Sequence, residues 1–237
     1  MPSAPKWVFD TFEVLLPKLP PVTVKATEIL SPSIKRIYLQ GRFSQMVFPV
    51  GAHIDFRVND TEVRRYTISG FNEADGMVEL IAYLHGNGPG SDYMNLLKTG
   101  DHIAINKPRG NKYYDQEAEA FVIFGDETAL GLACSFLPVL KNKQHRFLCC
   151  FELDNENRHI PSAIGLENCL IFPKDGSFRD TLWIANLPLF QTHEWDKANF
   201  VLTGNATSAQ SLRKVIKAKT KGNITLQGYW LQGKKGL

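Results

Sequence analysis

The sequence predicts two domains: a six-stranded antiparallel β-barrel, followed by a mostly parallel α/β domain. Six short strand-like segments lie within residues 22–108, a pattern typical of a small antiparallel barrel. From residue 118 onward, continuous apolar strands alternate with helical segments, which indicates a parallel sheet covered on both faces. A polar stretch without periodicity, residues 109–119, separates the two patterns. We place the boundaries at 1–19 for an N-terminal helical segment, 20–112 for the barrel and 113–237 for the α/β domain.

The barrel strands are predicted from β-branched and aromatic residues bounded by turn formers such as Pro32, Gly51 and Gly100. Ahead of them, an amphipathic pattern over residues 7–19 predicts a short helix that ends at PKLPP. The six strand segments are VTVKATEIL (22–30), IKRIYLQ (34–40), HIDFRV (53–58), EVRRYTIS (62–69), VELIAYLH (78–85) and HIAINKP (102–108).

The second domain is predicted from apolar runs that follow one another at helix-length intervals. The predicted strands are AEAFVIFG (118–125), HRFLCCFEL (145–153), NCLIFP (168–173), NFVLTG (199–204) and ITLQGYW (224–230). The predicted helices are DETALGLACSFLPVLKN (126–142), RDTLWIANLPLF (179–190) and ATSAQSLRKVIKAK (206–219).

Composition excludes several classes of protein. The net charge is only +3, which argues against a nucleic-acid protein that relies on a broad basic surface. The histidines and the four cysteines lack the spacing of a zinc, iron–sulfur or other metal site, so we expect no metal and buried free thiols. No run approaches the ~18 apolar residues of a membrane span, and Asp10 and Glu13 interrupt the N-terminal apolar stretch where a signal peptide would have none. We therefore expect a cytoplasmic protein.

The strand EVRRYTIS carries side chains that suit a phosphorylated, flat ligand. Because alternate residues of a strand share a face, Arg64 and Tyr66 point the same way. An arginine fork can hold a diphosphate, a tyrosine ring can lie against an aromatic ligand, and the Thr67 hydroxyl can bond a ring nitrogen. The alternative is an edge strand with solvated arginines and a packed tyrosine.

One hairpin later, HGNGPGSDYMNLLK predicts a glycine-rich turn that leads into a helix. Ser91 is the expected N-cap. The unpaired N–H groups of a helix N-terminus favour anions, and Gly88 and Gly90 would let a phosphate approach the backbone. The alternative is a turn without a ligand.

Five motifs in order resemble the siderophore-interacting protein family, a branch of the ferredoxin–NADP reductase superfamily. The similarity spans about residues 20–233. The motifs are Arg64, Tyr66 and Thr67 of RRYT; His85, Gly86, Gly88, Pro89 and Ser91 of HGNGPGS; Gly100, Asp101, Pro108, Arg109 and Gly110; GDETAL at 125–130; and Gly228, Tyr229, Trp230 and Gly233 of GYWLQG.

The resemblance implies FAD bound noncovalently between the two halves. NADH, NADPH or a reduced ferredoxin would supply electrons, and a ferric siderophore or other ferric chelate would receive them, so that iron leaves as Fe(II). The flavin itself would carry out the redox step, so no protein side chain is expected to be catalytic. The cofactor-binding residues carried over are Arg64, Tyr66, Thr67, Ile68, His85, Gly88, Pro89, Gly90, Ser91 and Thr128. The alternatives are a general NAD(P)H–flavin oxidoreductase that does not use a siderophore, and a flavin- or chelate-binding module without catalysis.

The donor and substrate side is expected in the second domain and beside the barrel exit. The crevice after Gly125 suits a ligand, where Asp126 or Thr128 either caps the helix or borders the flavin. Glu152 and Asp154 end the next strand, where ribose hydroxyls are accepted in such sheets. The other expected residues are Tyr229 and Trp230 as walls, and Lys107, Arg109, Lys112, Lys234 and Lys235 as cations for an anionic chelate. The sequence departs from the family pattern at Tyr93, Lys107, Gly131 and Asn205.

Overall fold

A computed structural model describes residues 5, 7, 21–43, 46–106, 108–110 and 113–234 of the 237-residue chain. The chain divides into two compact units, Met1–Lys112 and Tyr113–Leu237. Residues 8–19 of the predicted helix at 7–19 and the predicted cations Lys107, Lys112 and Lys235 lie outside the described residues. Within the described ranges, no helix is long and apolar enough to cross a membrane.

The first unit is a six-stranded antiparallel sheet with the strand order β3-β4-β5-β2-β1-β6. An antiparallel bridge between His53 and Arg109 joins β3 to the segment that follows β6, so the two ends of the sheet meet as in a barrel. The antiparallel barrel expected from the sequence is thereby confirmed. The strands are β1 (Val22–Ser31), β2 (Ile34–Gln40), β3 (His53–Asn59), β4 (Glu62–Asn72), β5 (Met77–Tyr83) and β6 (His102–Ile103).

Period-2 alternation builds the core of this unit. Val22 and Val24, Ile37 and Leu39, and Ile54 and Phe56 all point inward and are almost fully buried. One helix, α1 (Pro89–Leu96), follows β5 and contributes the buried Met94. The apolar face of the sheet and one residue of α1 therefore share a single core.

The last barrel strand is shorter than predicted. HIAINKP was expected to be a strand throughout, but among the described residues only His102–Ile103 are in a strand, paired with Thr23 and Val22. The described part of β1 begins at Val22, so the described ladder ends there.

The second unit is a five-stranded parallel sheet with the order β11-β10-β7-β8-β9, which confirms the predicted α/β fold class. Its central strand is buried at every position, because apolar side chains pack on both faces. The strands are β7 (Ala120–Gly125), β8 (Arg146–Leu153), β9 (Cys169–Pro173), β10 (Asn199–Leu202) and β11 (Ile224–Leu226). The α-helices are α2 (Leu130–Asn142), α3 (Ile160–Ala163), α4 (Thr181–Ala185) and α5 (Ala206–Lys219), and 3₁₀ turns occupy 127–129, 155–157, 177–179 and 188–190.

Two predicted elements of this unit are shorter in the structure. ITLQGYW pairs as a strand only over Ile224–Leu226, and Trp230 then makes an isolated parallel bridge with Asn205. The segment 179–190, predicted as one helix, has only Thr181–Ala185 in an α-helix, because Pro188 lacks an N–H and starts a separate 3₁₀ turn.

Candidate functional site

The two adjacent arginines of β4 point to opposite faces of the sheet. Arg64 lies opposite Phe56, and Tyr66 opposite Ile54. Both of those partners are core residues with no exposed surface, so Arg64 and Tyr66 project on the inner face. Arg65 lies opposite Asp55 on the other face. The predicted pairing of Arg64 with Tyr66 on one face is therefore what the register shows.

The Arg64 guanidinium is held in place by its own strand. Its Nη2 donates to Glu62 Oε1 at 2.8 Å, and its Nη1 donates to the carbonyl of Val63 at 3.0 Å. Glu62 is itself held by Asn59, whose Nδ2 donates to Glu62 Oε2 at 2.7 Å. Since a guanidinium has five N–H groups, these two bonds fix its orientation and leave donors for an anion.

Tyr66 is both a core residue and a wall. Its ring meets the edge of Phe56 at a centroid distance of 5.7 Å and an interplanar angle of 79°. Burial raises the pKa of its hydroxyl well above the ordinary value, so the phenol stays protonated. The packed-tyrosine interpretation and the ligand-wall interpretation are thus compatible.

The first turn of α1 packs directly against Arg64 and Tyr66. A Cβ placed on Gly90 would lie 2.8 Å from Cγ of Arg64 and 3.0 Å from Oη of Tyr66. Only glycine lets the helix approach this closely. The two motifs that the sequence places one hairpin apart therefore meet in space, with a guanidinium beside a helix N-terminus.

The N-cap of α1 is Gly88, and the expectation that Ser91 caps this helix is wrong. Gly88 has φ of 127°, which only glycine tolerates well, and Pro89 then presets the first helical residue. Ser91 is the third residue of the helix and is buried, and its Oγ accepts a bond from the Gly86 N–H at 3.1 Å. Ser91 thus fixes the turn from within.

Three further expected cofactor residues lie around this turn or strand. Nδ1 of His85 accepts from the Asn87 N–H at 3.3 Å, and its ring lies 5.8 Å from that of Tyr83. Thr67, half-buried, lies opposite His53 on the same face as Arg65. Ile68 is only 3% exposed and belongs to the core, and its N–H donates to Ala52 at 2.8 Å. Arg64, Tyr66, His85, Gly88, Gly90 and Ser91 are thus brought together on β4 and the turn before α1.

A lysine that the sequence analysis missed fixes the other end of α1. Lys35, on β2, is only 4% exposed, and its Nζ donates to the carbonyls of Met94, Asn95 and Leu97 at 3.1, 2.8 and 2.5 Å. Burial lowers the pKa of this ammonium. Because the last carbonyls of a helix have no partner within it, Lys35 satisfies them and orients α1. An inward-facing lysine within the strand IKRIYLQ was the available signal.

The outer face of β3 and β4 carries a separate charged group. Asp55 is buried and pairs with two arginines, accepting from Arg65 Nε at 3.1 Å and from Arg109 Nη2. His53 is also buried. Desolvation, helped by Arg65, lowers its pKa to about 4, so His53 is neutral at pH 7. Because Arg109 forms an ion pair with Asp55, part of its positive charge is already neutralised.

In the second unit, the expected crevice residue Asp126 acts as an N-cap. Its Oδ1 accepts from the Thr128 N–H at 2.9 Å, and its Oδ2 accepts from the Trp230 indole at 2.5 Å. The backbone N–H of Tyr229 donates to the carbonyl of Gly204 at 2.8 Å. The hydroxyl of Tyr229 lies 3.4 Å from that of Tyr113. The side chains of Asp126, Thr128 and Trp230 thus tie the C-terminal segment to the end of β7.

Two more buried carboxylates lie at the same edge of the sheet. Glu127 accepts from the Asp154 N–H at 2.7 Å and from Lys174 Nζ at 2.6 Å, so it is fully satisfied. Glu152 is only 2% exposed, and its Oε1 has no partner within the part of the chain that the structure describes. A cavity of about 260 Å³ lies here, lined by Glu152, Lys174, Gly176, Arg179, Asn205, Ser208, Trp230 and Gln232.

Replacing Glu152 with glutamine should change how stability depends on pH. Desolvation raises the Glu152 pKa from 4.5 to about 7, so the folded state binds this proton more tightly than the unfolded state. Stability of the parent should therefore fall as pH rises from about 4.5 to about 7. At pH 8, Glu152→Gln should be more stable by on the order of 2–3 kcal/mol, a difference that vanishes near pH 4.5.

Urea unfolding at pH 4.5, 6 and 8 measures the effect of Glu152→Gln. The exposed Glu119→Gln, also in the second unit, serves as the matched control and should follow the parent at every pH. A Glu152→Gln curve parallel to that of the parent would contradict a buried carboxyl that titrates in this range.

The chain is similar to known proteins in the first unit by sequence and over most of its length by fold. Residues 21–114 match the family model described as the oxidoreductase FAD-binding domain. The siderophore-interacting protein SipS from Aeromonas hydrophila superposes with a TM-score of 0.72 at 22% identity, covering 92% of this chain and 93% of SipS. The siderophore-interacting protein from Acinetobacter baumannii gives 0.73 at 20% identity, covering 93% of each chain. This chain has the siderophore-interacting protein fold.

A solved reductase also shares this architecture. Phthalate dioxygenase reductase, described as modular and transferring electrons from pyridine nucleotides to [2Fe-2S], superposes with a TM-score of 0.73 at 15% identity, covering 91% of this chain and 70% of that one. No curated protein sequence matches the chain. Residues 21–114 of the first unit thus match an FAD-binding domain of the oxidoreductase type, and the resemblance predicted from RRYT and HGNGPGS is confirmed at the level of fold.

The residues present in the first unit fit FAD. The close approach of Gly90 to Arg64 and Tyr66 leaves a guanidinium, a helix N-terminus and an aromatic ring adjacent to one another. A diphosphate needs the first two, and an isoalloxazine ring needs the third.

Proposed function

We propose that this protein is an FAD-dependent reductase of a ferric siderophore or another ferric chelate, which releases iron as Fe(II). The observation that carries the proposal is the contact between the first turn of α1 and the Arg64–Tyr66 pair of β4, inside the segment that matches an FAD-binding domain. The siderophore-interacting proteins of similar fold favour a ferric siderophore as the substrate.

The chain's own residues would hold the cofactor. Arg64, oriented by Glu62, would neutralise the pyrophosphate, and N–H groups of the first turn of α1 would bond its oxygens. Tyr66 would limit one side of the flavin ring, whereas Thr67, on the opposite face of β4, stays a sequence-based candidate for a flavin contact. When bound, FAD supplies two-electron acceptance and one-electron delivery. Ile68, His85 and Pro89 would shape this site, and Thr128 in the second unit is a further proposed contact.

A pyridine nucleotide is the proposed electron donor, and the cavity beside Glu152 is its proposed site. The cavity lies at the carboxyl edge of a parallel sheet, where such folds bind ligands. Oε1 of Glu152 can accept a hydrogen bond from a ribose hydroxyl. Trp230 offers an aromatic wall, and Nζ of Lys174 lies 5.5 Å from the centroid of its ring. Tyr229 and Asp126 would line the donor side. Reduced ferredoxin is the alternative donor.

Cations near the flavin would attract an anionic chelate. Arg109 is the described candidate, with 63% of its side chain exposed, although its ion pair with Asp55 offsets part of its charge. Lys107 and Lys235 remain sequence-based candidates. Nucleic acid and membranes are not proposed as partners, and a cytoplasmic location remains a prediction.

Anaerobic reduction assays test the proposal. Purified protein reconstituted with FAD is mixed with NADH, NADPH or reduced ferredoxin, and flavin bleaching is followed; ferric chelates are then added, and Fe(II) is trapped with a colorimetric chelator. We expect bleaching by one donor and Fe(II) formation that requires FAD. Bleaching without Fe(II) from any chelate would favour a general NAD(P)H–flavin oxidoreductase. FAD binding without bleaching by any donor would favour a binding module.

A further inference from the structure

Two cysteines of the second unit are direct neighbours across the sheet. Cys149 on β8 is the register partner of Cys169, the first residue of β9. Adjacent strands lie about 4.8 Å apart, and the Cα atoms of a disulfide lie about 4.4–6.8 Å apart. Register partners also project on the same face. The backbone therefore places both thiols where a disulfide could form, and β9 is the edge strand of the described sheet.

The two thiols differ in accessibility and acidity. Cys149 is 1% exposed, whereas Cys169 is partly exposed and its Sγ lies 3.4 Å from the carbonyl oxygen of Glu167. A hydrogen bond from the Cys149 thiol lowers the pKa of Cys169, and the same bond, together with burial, raises the pKa of Cys149. Cys169 is thus the accessible thiol that ionises first, and Cys149 is the protonated thiol behind it.

The remaining cysteines are arranged differently. Cys150 follows Cys149 on the strand and packs in the core on the opposite face. Cys134 lies on α2, is partly exposed and interacts electrostatically with Cys149, but it has no strand register with it. Cys134 is the competing partner that an experiment must exclude.

We propose that Cys149 and Cys169 form a reversible dithiol–disulfide site that reacts with small-molecule disulfides such as glutathione disulfide. The Cys169 thiolate attacks one sulfur of the reagent and displaces one thiolate, which leaves a mixed disulfide on Cys169. The Cys149 thiol then loses its proton and attacks Sγ of Cys169, which displaces the second thiolate. The protein loses two electrons and two protons, and the reagent becomes two thiols.

The bond would fasten the edge strand to its neighbour. The residues between Cys149 and Cys169 include Glu152 and Asp154, and Lys174 follows β9 directly. Oxidation would therefore restrict the strands whose ends carry the cavity beside Glu152. It would do so whether or not the protein reduces a ferric chelate, so the site does not depend on the proposed function.

Thiol counting and peptide mapping on the full-length protein test this proposal. After incubation with glutathione disulfide, we expect two thiols to disappear, a peptide cross-linked between Cys149 and Cys169, and complete reversal by dithiothreitol. Cys169→Ser should abolish the cross-link. Cys149→Ala should stop the reaction at glutathionylated Cys169, and Cys134→Ser should react as the parent does.

Three results would overturn the proposal: a cross-link between Cys134 and Cys149, stable glutathionylation of Cys169 in the parent protein, or no loss of thiols at all. Mapping of the parent protein decides among these outcomes even where a substitution at buried Cys149 prevents folding.

Discussion

Arg64→Ala should weaken FAD binding roughly ten- to hundredfold. The substitution would remove the proposed charge-assisted contact to the cofactor's phosphates, a loss on the order of 1.5–3 kcal/mol. The fold should persist, because Arg64 pairs only with Glu62 and with a neighbouring carbonyl among the described residues. Titration of apoprotein with FAD, followed by flavin fluorescence, measures the dissociation constant.

Arg65→Ala is the matched control for this experiment. Arg65 is the next residue along β4, but it points to the opposite face, and Asp55 would keep Arg109 as a partner after its removal. FAD affinity should therefore stay near that of the parent. If both arginines weaken binding equally, or if neither does, the assignment of Arg64 to the phosphate contact is wrong.

Lys35→Met should lower the free energy of unfolding by about 2–3 kcal/mol. Methionine keeps the apolar stem but leaves the carbonyls of Met94, Asn95 and Leu97 without their shared donor. The loss of a buried ammonium offsets part of this cost. Urea unfolding measures the change, and FAD titration of the folded variant should show weaker binding, because α1 carries the proposed phosphate-binding turn at its other end.

Lys25→Met provides the comparison for Lys35. Lys25 lies on β1 of the same unit but is exposed, so its replacement should change stability by less than about 0.5 kcal/mol. Equal effects of the two substitutions would show that the three carbonyl bonds of Lys35 contribute nothing. A destabilised Lys35→Met protein with unaltered FAD affinity would restrict Lys35 to a structural role.

Much of the fold followed from local pattern. Alternation in HIDFRV and EVRRYTIS predicted paired strands, and the continuous apolar run AFVIFG predicted a strand buried on both faces. The helix 206–219 has the bounds expected from its pattern. Lengths were less well predicted where a strand needed a partner, as at His102–Ile103, because pairing is a property of two segments.

The sequence predicted which residue types form the candidate site, but not which groups hold them in place. Side-chain alternation alone placed Arg64 and Tyr66 on one face, and glycines marked the turn before α1. The N-cap was assigned to Ser91 from residue preference, but Gly88 takes that position because its backbone adopts φ of 127°. Lys35 was missed because it lies about sixty residues from the carbonyls that it binds.

The sequence by itself determined the two-domain plan of this protein, a barrel followed by a parallel α/β unit, and the residue types of a candidate phosphate and flavin site. Those features are local, since they depend on periodicity and on the chemistry of single side chains. Only the tertiary structure decided which groups are already engaged. Glu62 orients Arg64, Asp55 shares the charge of Arg109, and Asp126 already caps a helical turn. Among the described residues, Oε1 of Glu152 has no hydrogen-bond partner. The physical reason is that the pairing and the protonation of a buried charged group depend on its neighbours, and those neighbours come from distant parts of the chain.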